Sequence, residues 1–134
     1  MLSVARRGLA HRGRMSLRML SSSAAVTNPL LEPPTRLFPR FADVQADHVV
    51  PAMTERLALA RSDMRALEER LEASPTSYRE LADSLERIGE LVGQPWGVIN
   101  HLKGVQDSDP LREAHAKMQP EVVQFNTDIS QSAV

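Results

Sequence analysis

From Asp47 onward, Val50, Met53, Leu57, Ala60, Met64, Leu67 and Leu71 follow one another in alternating steps of three and four residues. A strand places its side chains on one face every two residues, so this spacing excludes a strand and requires a helix with one sustained apolar face. Roughly 25 residues at 1.5 Å rise give a rod about 38 Å long. Asp47 is placed to cap its start, Pro51 falls in or near the first turn, and Ser74-Pro75 ends it. Such a rod buries its stripe only against other elements.

The partners are written in the same periodicity. A capping box, Ser77-Tyr-Arg-Glu80, opens a second helix. Its stripe is Tyr78, Leu81, Leu85, Ile88 and Val92, with Leu91 beside it. Gly93 and Pro95 interrupt that pattern, so QPWGVINHL (residues 94–102) is expected to begin a new helical turn after a kink. A third helix starts near Asp109-Pro110, with Ser108 or Asp109 as cap. Leu111, Ala114, His115, Met118, Val122, Phe125 and Ile129 form its face, which is expected to break or bend at Pro120. Short connections make the helices antiparallel neighbours, and the fold class is all-α.

Composition agrees with helix packing. Only five side chains are Phe, Trp or Tyr, so Leu, Val, Ala and Met must build the core. The absence of cysteine removes disulfides, thiolate zinc sites and a cysteine nucleophile. No apolar run approaches the roughly 20 residues of a bilayer span, so stable membrane insertion is not expected.

The net charge of -1 conceals two regions. Residues 1–26 carry Arg6, Arg7, Arg12, Arg14 and Arg18 with no acid, which leaves 11 basic against 17 acidic residues elsewhere, a balance of -6. An arginine-rich, serine-containing, acid-free start is the composition of an organellar transit peptide. Leu2, Ala5, Leu9 and Leu20 gather on one side of a helical projection, opposite Arg7, Arg14 and Arg18. Arg18-Met19-Leu20 before Ser21-Ser22 places processing after Leu20, in the mitochondrial pattern, with the mitochondrial matrix as destination and a chloroplast or dual address as the competitor. A nucleic-acid arm is not expected, because no aromatic residues are interleaved with the arginines.

Residues 27–46 form a proline-rich, extended lead-in, with four of the nine prolines between residues 27 and 41. Leu30, Leu31, Leu37, Phe38 and Phe41 are too apolar for a solvated linker, so this segment is expected to lie along a protein surface. Residues 47–134 are the helical domain, whose pattern still runs at Val134, as in a longer polypeptide that has been truncated.

No catalytic, cofactor-binding or metal-binding residue can be assigned. None of His11, His48, His101 and His115 belongs to an HExxH motif or to an i, i+4 pair. His101 and His115 with Asp107 and Asp109 are the one conceivable metal set, against the commoner reading of loop acids and helix-surface histidines. QPWGVINHL places Trp96, Asn100 and His101 within six residues, yet five residues turn a helix by 500°, so Trp96 and His101 point to different sides. Trp96 is then a core anchor with its indole N–H on a carbonyl, and His101 a structural histidine at the edge of an apolar arc.

Five segments in order, Asn28-Pro-Leu-Leu31, Phe38-Pro-Arg-Phe41, His48-Val-Val-Pro-Ala52, Trp96-Gly-Val98 with His101-Leu102, and Leu111-Arg-Glu-Ala114, resemble the N-terminal region of oligopeptidase A-like members of the thimet oligopeptidase family of zinc metallopeptidases. With the transit peptide ahead, the likeness is to organellar oligopeptidases. Pro95 departs from it, because the family more usually has a helix-compatible residue there.

The resemblance implies a mostly helical parent enzyme whose two halves enclose a channel for short peptides such as cleaved targeting peptides. Zinc, bound by HExxH and a downstream glutamate, would polarise the scissile carbonyl and activate water in the parent. None of those ligands lies in this chain, which is expected to help wall the channel and to be inactive alone. Its partners would be the catalytic half of the parent and, through it, short peptides. The alternatives are a stand-alone organellar helical module that binds or regulates without catalysis, and a fragment without independent function.

Overall fold

The computed structural model describes residues 28–32 and 38–132. The expected transit peptide, with its processing point after Leu20, lies outside the described residues, as do His11 and Leu37. Two short 3-10 turns, Pro29–Leu31 and Phe41–Asp43, precede three helices: α1 (Ala46–Ala73), α2 (Tyr78–Val105) and α3 (Asp109–Gln131). No strand occurs among the described residues, and the fold is all-α.

α1 packs along both α2 and α3 and is the central element. Its C-terminal Arg70 meets Ser84 near the start of α2, whereas Phe41, just ahead of α1, meets His101 near the end of α2. These two helices are therefore antiparallel. Arg61 pairs with Glu121 at 3.1 Å, and Glu68 accepts a hydrogen bond from Ser132 at 2.7 Å. Both sequences rise together, so α3 runs in the direction of α1 and the bundle is up, down, up.

In α1 the buried residues are Val49, Ala52, Met53, Leu57, Ala60, Met64 and Leu67. Five of the seven stripe positions read from sequence are among them. At the ends the burial differs: Val49 is wholly buried while Val50 and Leu71 are half-buried. The lead-in explains the change at the N-terminal end. Leu30 packs into the core at 5% exposure, and the Asn28 side-chain amide donates to the His48 carbonyl at 2.8 Å, so a second surface covers this end of α1. Asn28 Oδ1 also accepts from the Leu30 N–H at 3.0 Å and so closes the first turn.

The helix starts two residues earlier than an Asp47 cap allows. Gln45 is the N-cap, and its N–H donates to His48 Nδ1 at 3.0 Å, so an imidazole does what a glutamate does in the usual capping box. Asp47 instead sits in the first turn, where the positive end of the helix dipole favours it. Pro51 consequently falls past the first turn, where it removes one intrahelical bond.

α2 begins as read, with Ser77 Oγ accepting from the Glu80 N–H at 3.3 Å and Glu80 Oε2 accepting from the Ser77 N–H at 3.1 Å. Its buried face differs: Ser84, Ile88, Val92, Pro95, Ile99 and Leu102 are buried, while Tyr78 is 86% exposed. The seam against α1 thus runs through Ser84, with Leu81 and Leu85 on its flank. A serine is tolerated there because its hydroxyl donates to the Glu80 carbonyl at 2.7 Å.

α2 is also one helix, without the interruption expected at Gly93 and Pro95, and α3 likewise continues through Pro120. Each proline forfeits a backbone bond, but buried residues hold the turns on both sides: Val92 and Ile99 around Pro95, Met118 and Val122 around Pro120. Tertiary burial overrides local propensity at both places. Ser108 caps α3 by accepting from the Leu111 N–H at 3.4 Å.

Candidate functional site

Two features rise above plain packing: a polar cluster between α2 and α3, and a groove between the lead-in, α1 and α2.

The cluster contains Trp96 and Asn100, one turn apart on α2, and His115 on α3. The Trp96 and His115 rings stack with centroids 4.5 Å apart and planes 20° from parallel. His115 Nε2 and Asn100 Oδ1 are 2.8 Å apart. With Oδ1 as the acceptor, Nε2 carries the proton and Nδ1 is bare. His115 is only 5% exposed. Burial, reinforced by the nearby Lys103 charge, pushes its pKa below the ordinary histidine value. The ring is therefore held neutral as a flat spacer between two helices.

His101 takes no part. It is exposed and leans on Phe41 with centroids 4.9 Å apart and planes 53° apart. Trp96 and His101 do face different partners, as their 500° separation requires, but the histidine that completes the cluster comes from another helix. The anchor role read for Trp96 is corrected in two respects. Its side chain is half-buried at the edge of the core, and among the described residues its indole N–H makes no hydrogen bond. The conceivable metal set is not assembled either, since Asp107 and Asp109 both pair with Arg112. Among the described residues no three His, Asp or Glu side chains are grouped to hold a metal ion.

The groove has a volume of about 810 Å³. The turn at Pro29–Leu31 and residues 38–40 close one end, and Arg70, Ser84 and Arg87 stand at the other. Arg56 Nη2 donates to the Leu31 carbonyl at 2.6 Å and ties the first turn to α1. Arg40 pairs with Glu32 and, at 3.3 Å, with Asp43. Arg40 Nε and Arg56 Nε are buried and, among the described residues, have no hydrogen-bond partner. The basic residues were visible in the sequence, but their convergence was not, because it depends on how α1 and α2 are aligned.

Among the described residues, neither feature pairs a nucleophile with a base. What the geometry does show is that the five segments carrying the family resemblance meet in space. Asn28 bonds to His48, Phe41 packs on His101, and Trp96 stacks on His115, one residue past the fifth segment. These contacts fasten the lead-in to α1 and α2, and α2 to α3.

Comparison with known proteins agrees with that pattern. The family model described as Neurolysin/Thimet oligopeptidase, N-terminal domain, matches residues 53–134. The chain is 37% identical over 114 residues, 85% of its length, to the probable cytosolic oligopeptidase A of Arabidopsis thaliana, covering 16% of that protein. It is also 37% identical over 114 residues to the chloroplastic/mitochondrial organellar oligopeptidase A of the same plant, covering 14% of it. Against oligopeptidase A of Escherichia coli the identity is 32% over 108 residues, 79% of the chain and 15% of the relative. No solved structure matches. The chain thus spans only a small part of the curated relatives it resembles, and within that part it belongs to the neurolysin/thimet oligopeptidase family.

Proposed function

We propose that this chain serves as the N-terminal helical portion of an organelle-directed zinc oligopeptidase, where it helps to wall the channel that admits short peptides. The observation that supports this reading is the coverage: 85% of the chain aligns with only 16% of an oligopeptidase A. A segment of that size serves as scaffold within a longer peptidase. The chain alone is inert, and the peptide-hydrolysing chemistry belongs to the catalytic half of the parent.

The organellar part of the proposal rests on the composition of residues 1–26 and on one organellar relative, with the mitochondrial matrix as the destination. Residues 1–26 fused to a fluorescent protein should carry it into mitochondria. A cytosolic distribution would overturn this part, and plastid import would redirect it.

The wall role is tested by exchange. Residues 28–134 are substituted for the matching N-terminal segment of Escherichia coli oligopeptidase A, and hydrolysis of short quenched-fluorescent peptides is measured. The chimera should retain activity and the isolated chain should have none. A folded chimera without activity, or hydrolysis by the chain alone, would sink the proposal.

A further inference from the structure

Arg70 and Arg87 reach from different helices to a single neutral atom. Arg70 Nη2 lies 3.2 Å and Arg87 Nη2 3.3 Å from Ser84 Oγ. That hydroxyl donates its proton to the Glu80 carbonyl, and Ser84 is only 6% exposed. Its two lone pairs are therefore both committed to guanidinium groups. Both arginines are exposed, so water screens part of their mutual repulsion, and the neutral oxygen between them offsets little of the rest.

The Glu80 carboxylate lies near enough to Arg70 to feel its charge, yet it forms no ion pair with either arginine. Among the described residues neither arginine makes a salt bridge. Glu80 closes the capping box onto Ser77, and Asp83 gives Arg87 only its backbone carbonyl. The helix dipole accounts for Arg70, which stands in the last turn of α1. It does not account for Arg87, well inside α2.

Both arginines line one end of the groove, and from them the lining continues along the helices through Leu67, Ile88, Leu91, Pro95 and Val98. Charge first and apolar surface after it suits a ligand with an anion at its end. Asp63 and Glu90, also in the lining, repel a second carboxylate farther along. Planar guanidinium groups match a planar carboxylate through paired N–H···O bonds. We propose that Arg70 and Arg87 clamp the C-terminal carboxylate of a short apolar peptide, whose last side chains lie in the groove between α1, α2 and the Pro29–Leu31 turn. This binding needs no zinc and stands independently of whether the chain walls a channel.

The test is a calorimetric titration of the 134-residue chain with a tetrapeptide of leucine and alanine, supplied as the free acid and as the C-terminal amide. The free acid should bind at least about tenfold more tightly, corresponding to one charge-assisted bond pair. Added salt should shrink that advantage. Arg87→Gln should abolish it while circular dichroism stays helical, since Arg87 is exposed, and Arg70→Gln provides the same test from α1. Arg87→Lys should retain part of the preference. Equal affinity for acid and amide, no binding of either, or a preference that survives both glutamine substitutions overturns the proposal. So does an amidated peptide with an internal glutamate that binds as well as the free acid, because that result assigns the cations to an acidic segment.

Discussion

Trp96 and His115 are stacked across the α2–α3 seam with centroids 4.5 Å apart, and the far edge of the imidazole is held by Asn100 at 2.8 Å. Because Trp96 is the sole tryptophan, tryptophan emission comes from this side chain alone. Burial, then the Lys103 charge, lowers the His115 pKa from 6.5, so the unfolded chain binds the proton more tightly than the folded one. The resulting stability is complete above pH 6.5 and declines as pH falls through 6.5 toward the folded value. Urea midpoints measured from pH 7.5 to 5 should fall, with a parallel change in Trp96 emission. His115→Ala should cost about 2 kcal/mol through the lost stack and the space left behind. It should also flatten the pH dependence; an unchanged slope would contradict the assignment.

The lead-in contributes to stability through one residue above all. Leu30 is buried at 5% exposure, beside an Asn28 that caps its own turn and binds the His48 carbonyl. Leu30→Ala is expected to cost about 2–4 kcal/mol, the usual range for a buried leucine. Phe38→Ala is the control, because Phe38 is 71% exposed and should change the denaturation midpoint little. Equal effects would mean that the lead-in does not pack as described.

The helices were legible because periodicity and caps are local. The α1 stripe from Met53 to Leu67, the Ser77–Glu80 box and the Ser108 cap could all be read from neighbouring residues. What was not legible depended on contacts between distant segments. The shift of burial from Val50 to Val49 needs Leu30 overhead, and the unbroken passage through Pro95 needs Val92 and Ile99 anchored on α1. The cluster itself shows the same limit. Trp96 and Asn100 stand beside His101 in the sequence, but their partner in space, His115, lies on another helix. Arg87 stands three residues after Ser84 on α2, a local spacing, whereas Arg70 joins them only through the alignment of α1 with α2.

The α2 capping box makes a separate pH prediction. Hydrogen bonds from the Ser77 hydroxyl and then its backbone hold the Glu80 pKa below 4.5. A depressed carboxylate pKa stabilises the fold above the unfolded value, and that contribution is lost as pH falls through the folded one. Acid titration below pH 4.5 should therefore fray the start of α2, and Glu80→Gln should remove that part of the transition. Ser77→Ala should cost about 1 kcal/mol at neutral pH, the ordinary worth of a serine cap. Amide exchange at Leu81 and Ala82 would report both effects; fraying confined to α3 would oppose them.

Pro95 offers the sharpest contrast between local rule and packing. A proline inside a helix typically costs about 3 kcal/mol, since it lacks the N–H that would bond to the Leu91 carbonyl and its ring crowds that carbonyl. Here the ring is buried against the core, and replacing it with alanine removes two methylenes, worth about 0.8 kcal/mol each. The restored backbone bond outweighs the lost burial, so Pro95→Ala should stabilise the chain by about 1 kcal/mol. Trp96 emission should change little, because its stacking partner His115 is carried by α3 and is anchored separately by Asn100. Destabilisation by a similar amount would show instead that the ring's packing, and not the helix around it, sets the geometry of the α1–α2 seam.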